Sequence, residues 1–308
     1  IPAYVDGILA GQLDAAADIE LVQDKGPFLL VDGHRGFGHI VAEQAMTLAI
    51  DRAQAHHFVM LSLRNSFHLG RLGDWGIMAA EAGFICILYA NVQSARPLVA
   101  PFGGSDARFV TNPYCTAIPA TEKHPMFVLD MATSTIAMGK ARVAQLSGKP
   151  APEGALIDAQ GNATRDPSVV FDGAGGALTA FGQHKGFGLA LLGDILGGSF
   201  SGGGAYAPER EVPDRIVNNM MAILIDPNVF GLAQSFGVDV DSYTDWVKAS
   251  PAAPGTAGVQ FPGDPERRST AERSAKGIPL DAGTLAQLMA AARKAGVPAS
   301  EHLCSTSD

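Results

Sequence analysis

Apolar residues recur at helical spacing at Ala42, Ala45, Met46, Ala49 and Ala53, so residues 41–57 predict a helix. The next run, 58–63, is mostly apolar and of strand length. Residues 72–82 predict a second helix ending at Gly83, which reads as a C-terminal cap. A nearly unbroken apolar run at 84–91 predicts a strand covered on both faces. A short strand at 127–130 leads into a helix expected over 131–145. A helix over 186–196 and a buried strand over 220–226 complete the middle of the chain. Strands alternating with helices imply α/β layers. The tail changes character, with a charged segment at 267–276 and an Ala/Leu helix at 282–295. The Pro/Gly-rich stretches 149–166 and 251–265 read as long loops.

Composition narrows the class. The chain has 308 residues, 47% of them hydrophobic and 17% charged, enough to bury a core. Thirty-six glycines favour tight turns and close backbone approach. A formal net charge of −9 argues against a broad nucleic-acid-binding face, though a local Arg or Lys suffices for a small anion. Cys86, Cys115 and Cys304 are odd in number and lack CxxC spacing, which favours a reducing compartment over a disulfide framework. Cys86 and Cys115 read as buried strand residues. No apolar run approaches the length of a membrane helix, so a cytoplasmic location is expected. The chain opens at Ile1-Pro2 without Met, and the expectation is that it starts part-way through a longer gene product.

The chemistry is not announced by a common motif. Gly33, Gly36 and Gly38, and Gly186, Gly188 and Gly193, fail the spacing of a Rossmann fingerprint. No Walker sequence and no G-x-S-x-G elbow occurs. Histidine spacing gives no metal-ligand pattern. Three other segments stand out. His68 lies in RNSFHLGR between a strand and a helix, where ligands meet backbone donors; the alternative is a turn-capping histidine. Asp130 sits at a strand end before hydroxyls, fitted either to ribose or to capping the helix start. His184 and Lys185 open a helix and form an anion site. Asp194, nine residues on, either pairs with a buried basic group or is solvated. Asn112 in TNP either donates to a substrate or forms a turn.

Taken together, VDGHRGFGHIVAEQAM (31–46), RNSFHLG (64–70), PFGG (101–104), TNP (111–113), LDMATS (129–134), GKARVA (139–144), PEGALIDAQG (152–161), GQHKGFGLALL (182–192), NNMMAILIDP (218–227) and FPGDPERR (261–268) resemble the malate/L-lactate dehydrogenase family whose fold is not Rossmann. The resemblance implies a three-layer α/β/α core with a mixed sheet over 31–264. It also implies a small helical, dimerising part built from 1–30 and 265–308, and a homodimer. NAD or NADP is the expected cofactor and a small carboxylate the substrate, with no nucleic acid, membrane or metal. His68 matches the histidine assigned proton transfer or a cofactor contact. His68, Leu69, Gly70, Arg71 and Leu72 match one cofactor-contacting stretch, Asp130, Met131 and Ala132 a second, and His184 and Lys185 a third. Gly263, Asp264, Glu266, Arg267 and Arg268 match a fourth, and Ser94 a single contact. Arg71 and Asn112 are the candidate substrate donors. The family's Ser-His-Gly-x-x-Arg segment does not occur in this sequence: either it precedes Ile1, the option favoured by the missing Met, or the protein lacks it. The implied activity is hydride transfer between nicotinamide and C2 of a 2-oxo or 2-hydroxy acid. A cyclic imino acid reductase and a non-catalytic nucleotide-binding homologue are the alternatives.

Overall fold

The computed structural model describes residues 1–94, 96–171, 173–206 and 216–297. In chain order these form α1 (Pro2–Leu9), β1 (Glu20–Lys25), β2 (Phe28–Asp32), α2 (Gly38–His56), β3 (Phe58–Ser66), α3 (Leu72–Glu81), β4 (Ile85–Gln93), β5 (Tyr114–Ile118) and β6 (Phe127–Met131). There follow α4 (Met138–Leu146), β7 (Leu156–Ile157), β8 (Ala163–Thr164), β9 (Ala177–Leu178), α5 (His184–Leu192), β10 (Val217–Ile225), α6 (Ala233–Lys248), α7 (Asp264–Lys276) and α8 (Ala282–Lys294).

Among the described residues the main sheet has seven strands in the order β1-β2-β3-β10-β4-β5-β6. It is mixed: β2 runs parallel to β3, and β10 runs antiparallel to both β3 and β4. Alternate residues of each strand face one side. Val59, Leu61 and Leu63 of β3, Cys86 and Leu88 of β4, and Ala222 and Leu224 of β10 are all fully buried there, under Ala42, Ala45, Met46 and Ala49 of α2 and Ala79 of α3. The small residues of α2 let the helix lie close to the strands. Truncating a buried leucine of this layer would cost about 2–5 kcal/mol.

The opposite face carries the π-helical turn Gly193–Ser199, which continues α5. Glycine makes this approach possible. A Cβ on Gly197 would lie 2.9 Å from the Tyr89 carbonyl and the Asn91 amide of β4, and one on Gly193 would lie 3.0 Å from the Ala90 carbonyl. The protein therefore has the expected α/β/α layering around a mixed sheet. A second apolar cluster joins Val99, Phe109, Leu156, Val170, Leu178 and Ala190 around the small sheet β8-β7-β9.

Three elements depart from the sequence reading. Residues 20–30, expected in the terminal helical part, supply β1 and most of β2, a hairpin turned at Gly26 with φ +66. The helix expected from 131 begins only at Met138, because Thr133 and Ser134 pair their backbones with Thr111 and Ala180 instead. The helix α6 lacked a sequence signal strong enough to predict it. At the termini, α1 lies against α8, where Lys294 pairs with Asp6. Cys304 and the tail beyond 297 fall outside the described residues.

Candidate functional site

The antiparallel pairing of β10 with β3 and β4 brings Ser66 and Gln93 to one edge of the sheet, opposite Asn218 and Val217. The pairing of Tyr114 with Met131 puts the end of β6 at that edge as well. The carboxyl ends of β2, β3, β4 and β6 thus open on one side, the side on which open α/β sheets bind ligands.

The loop after β3 is fixed by a pair of asparagines. Asn219 Oδ1 accepts from the Asn65 amide at 2.8 Å, and Asn218 Oδ1 accepts from the Leu69 amide at 2.9 Å. Trp75 Nε1 donates to the Leu69 carbonyl at 3.1 Å. Asn65 is left-handed at φ +53, and its carbonyl accepts from the amide of Arg35, itself at φ +62. Two strained non-glycine residues braced on each other beside a candidate ligand loop mark a conformation set by its surroundings.

That bracing presents His68. The Tyr4 hydroxyl lies 2.6 Å from His68 Nδ1, and the Tyr4 ring stacks on Phe37 with centroids 5.0 Å apart. Burial, with the His39 imidazole nearby, pushes the His68 pKa below the ordinary histidine value. Burial also raises the Tyr4 phenol, so it stays protonated.

Arg71 links this loop to the next strand end. Its Nε lies 3.2 Å from Asp130 Oδ2, and its Nη1 donates to Asp74 at 2.9 Å. Burial raises Asp130 above the usual carboxylate range, against the lowering effect of the Gly73 amide and of Arg71. Asp130 therefore does cap a helix start, but that of α3 rather than the helix that follows it in sequence. A Cβ on Gly73 would come within 2.6 Å of Asp130 Oδ2. Beyond Asp130 and Met131, Ala132 leads to Thr133, whose carbonyl accepts from the Phe181 amide at 3.0 Å. This bond carries the chain into α5, where His184 and Lys185 are exposed and Gln183 enters at φ +57.

Other sequence candidates are placed differently. Asn112 is fully buried, and its Nδ2 donates to the Ala190 carbonyl at 3.0 Å and to Asp194 Oδ2 at 2.8 Å. Its Oδ1 accepts from the Val92 amide at 3.1 Å. With its amide donors committed inside the protein, Asn112 is a bracket under α5 and not a substrate donor. Asp194 accordingly meets Asn112 and Asn91 rather than a buried base or solvent, and burial raises its pKa. Ser94 sits at the end of β4, its hydroxyl donating to the Arg96 carbonyl. Gly263–Arg268, expected as a loop, forms the start of α7 at the other end of β6, where Arg267 Nη1 donates to the Met126 carbonyl at 2.9 Å and Nη2 to Asp264 at 2.5 Å. Arg268 reaches Gln260, and Glu266 lies in the first turn of α7. Within one chain this segment does not join His68.

The site residues suit a nicotinamide dinucleotide. His184 and Lys185 stand exposed at the start of α5, where the positive end of the helix dipole favours an anionic linker. Gly70 and Gly73 let the loop pack closely on its neighbours, since a Cβ on either would run into His39 or Asp130. Among the described residues His39 Nδ1 is a buried polar atom without a partner, beside His68. The sequence reading missed Tyr4, His39 and the Asn218–Asn219 pair. Two adjacent asparagines opening a buried strand were the one available signal.

Among the described residues no helix is long and apolar enough to cross a membrane. The profile of the family described as malate/L-lactate dehydrogenase matches residues 1–289. The hydroxycarboxylate dehydrogenase B of Escherichia coli (strain K12) is 41% identical over 300 residues, 97% of this chain and 82% of that protein. The L-lactate dehydrogenase of Cupriavidus necator is 39% identical over 279 residues, 89% of this chain and 78% of its own. The solved sulfolactate dehydrogenase of Methanocaldococcus jannaschii superposes with a TM-score of 0.84 at 30% identity, covering 96% of this chain and 84% of that one. A mixed sheet with the family profile matched along nearly the whole chain leaves one assignment: the chain belongs to the malate/L-lactate dehydrogenase family.

Proposed function

We propose that the protein is an NAD- or NADP-dependent oxidoreductase of small 2-hydroxy acids. The observation that carries this reading is the convergence of His68, the Arg71–Asp130 pair and the start of α5 on one edge of the sheet. When bound, the nicotinamide supplies the hydride chemistry, and the protein's part is to hold and orient. Lys185, exposed at the positive end of the α5 dipole, holds the pyrophosphate. Asp130 and Met131 line the nucleotide beside the loop from His68 to Leu72. His68 orients the reacting end and offers a hydrogen bond there. Arg71, partly exposed between Asp74 and Asp130, is the cation available to a substrate carboxylate. Gly263–Arg268, at the other end of β6, serves the adenosine end, and Ser94 makes a single cofactor contact. The protein works as a homodimer, with the terminal helices α1 and α8 contributing to the assembly.

The test is a screen of lactate-, malate- and sulfolactate-type acids and cyclic imino acids against NAD(H) and NADP(H), read by absorbance of the reduced nicotinamide. Turnover of a 2-hydroxy or 2-oxo acid with either cofactor supports the reading. Binding without turnover across the panel would replace it with the non-catalytic alternative.

A further inference from the structure

The Tyr4–His68 contact goes further than support. Tyr4 comes from α1, 64 residues away in sequence, and its hydroxyl reaches Nδ1 at 2.6 Å. Phenols donate hydrogen bonds far better than they accept them, and burial keeps this one protonated. The bond to Nδ1 is also the one described hydrogen bond of either group. If the imidazole carried its proton on Nδ1, the phenol would have to accept, and its own proton would lack a described acceptor. The bond is satisfied when Tyr4 donates and Nδ1 accepts. A neutral imidazole then carries its proton on Nε2, because the bond made by one ring nitrogen sets the state of the other.

We infer that Tyr4 is a positioning residue that holds His68 in the neutral Nε2–H tautomer, so that His68 acts as a hydrogen-bond donor to a ligand oxygen and not as the base that takes a proton. Three features hold the pair in register. The Tyr4 ring is stacked on Phe37 and tilted against Phe67. A Cβ on Gly7, one turn along α1, would lie 3.2 Å from the Phe67 ring, so α1 packs directly on the loop. The amide of Leu69 is pinned by Asn218. The titratable groups acting on His68 are Tyr4 from α1, His39 from α2 and the amino group of Ile1. None is an anion that would stabilise an imidazolium. The inference relies on the oxidoreductase reading only for its kinetic arm.

The experiment is long-range 15N–1H correlation of imidazole-labelled protein, with His68 assigned by its loss in a His68→Ala variant. In the wild-type protein at neutral pH the expected pattern is an unprotonated Nδ1 and a protonated Nε2. Tyr4→Phe keeps the ring packing and removes the donor, and should yield a mixture of tautomers. In that variant kcat should fall roughly 10–100-fold, the range for losing an orienting partner of a functional imidazole, with KM within about twofold if ligand contacts persist. A protonated Nδ1 in the wild type, or an unchanged tautomer in Tyr4→Phe, overturns the inference. Absence of turnover with every substrate pair would sink the functional reading and leave the spectroscopic result decisive for Tyr4.

Discussion

Asn112 Nδ2 donates to Asp194 Oδ2 across 2.8 Å, joining the turn before β5 to the helix that carries His184 and Lys185. Asn91 holds the other carboxylate oxygen at 3.3 Å, and Asn219 Nδ2 donates to Asn91 Oδ1 at 2.9 Å. Since Asn219 also fixes Asn65, one buried amide network connects the His68 loop with the start of α5.

Replacing Asn112 with Leu should therefore destabilise the protein by at least about 2 kcal/mol, because a buried carboxylate loses its nearer donor. Asp194 binds its proton more tightly folded than unfolded, so its contribution is full at acid pH and is lost as pH rises through the raised value. The variant raises that value further. Urea denaturation should show a larger deficit at pH 7.5 than at pH 5. An equal deficit at both would separate Asn112 from Asp194.

Removing the imidazole in His68→Ala should lower kcat/KM for reduction of the preferred 2-oxo acid by roughly 10²–10³-fold, the usual loss of a preorganised donor. The check is steady-state loss of reduced-nicotinamide absorbance. A full-rate variant removes His68 from the site.

Lys185→Met should raise the cofactor Kd roughly 10-fold or more, as expected for a charge-assisted contact worth about 1.5–3 kcal/mol. Melting temperature should stay unchanged, because Lys185 is exposed and starts a helix where a cation is unfavourable. Fluorescence titration with the reduced cofactor measures it. An unaltered Kd would move the anion site elsewhere.

Gly73→Ala places a methyl against the Asp130 carboxylate and should cost about 1–3 kcal/mol as overpacking. Cofactor affinity should fall with it, because Asp130 and the Gly73 amide support the same loop. Thermal denaturation and cofactor titration test the pair. Loss of stability alone would confine Asp130 to capping α3.

Cys86 and Cys115 are fully buried, and burial pushes the Cys115 thiol up to about 12. At pH 8 a thiol reagent should leave both unlabelled in the native protein and modify them only on unfolding. Fast labelling of either would contradict the packing of β4 and β5.

Along the chain, the helical spacing of Ala42, Ala45, Met46 and Ala49 and the apolar runs at β3, β4 and β10 are enough to set the α/β class, because side-chain periodicity is local. His68, Asp130 and Lys185 stand out for a similar reason, as each sits beside a strand end or helix start that the pattern itself reveals. Contacts closed over long sequence separations were beyond it. Tyr4 meets His68, Asn218 holds Leu69 and Asn112 holds Asp194 only after seven strands are ordered in the sheet. The same holds for Asp130, which caps a helix preceding it by more than fifty residues, and for Thr133, whose pairing across to Phe181 stops a helix that local propensity would have started. Local pattern names the groups that can do chemistry; burial and hydrogen bonding between distant segments decide which of them point at a ligand and which are spent holding the protein together.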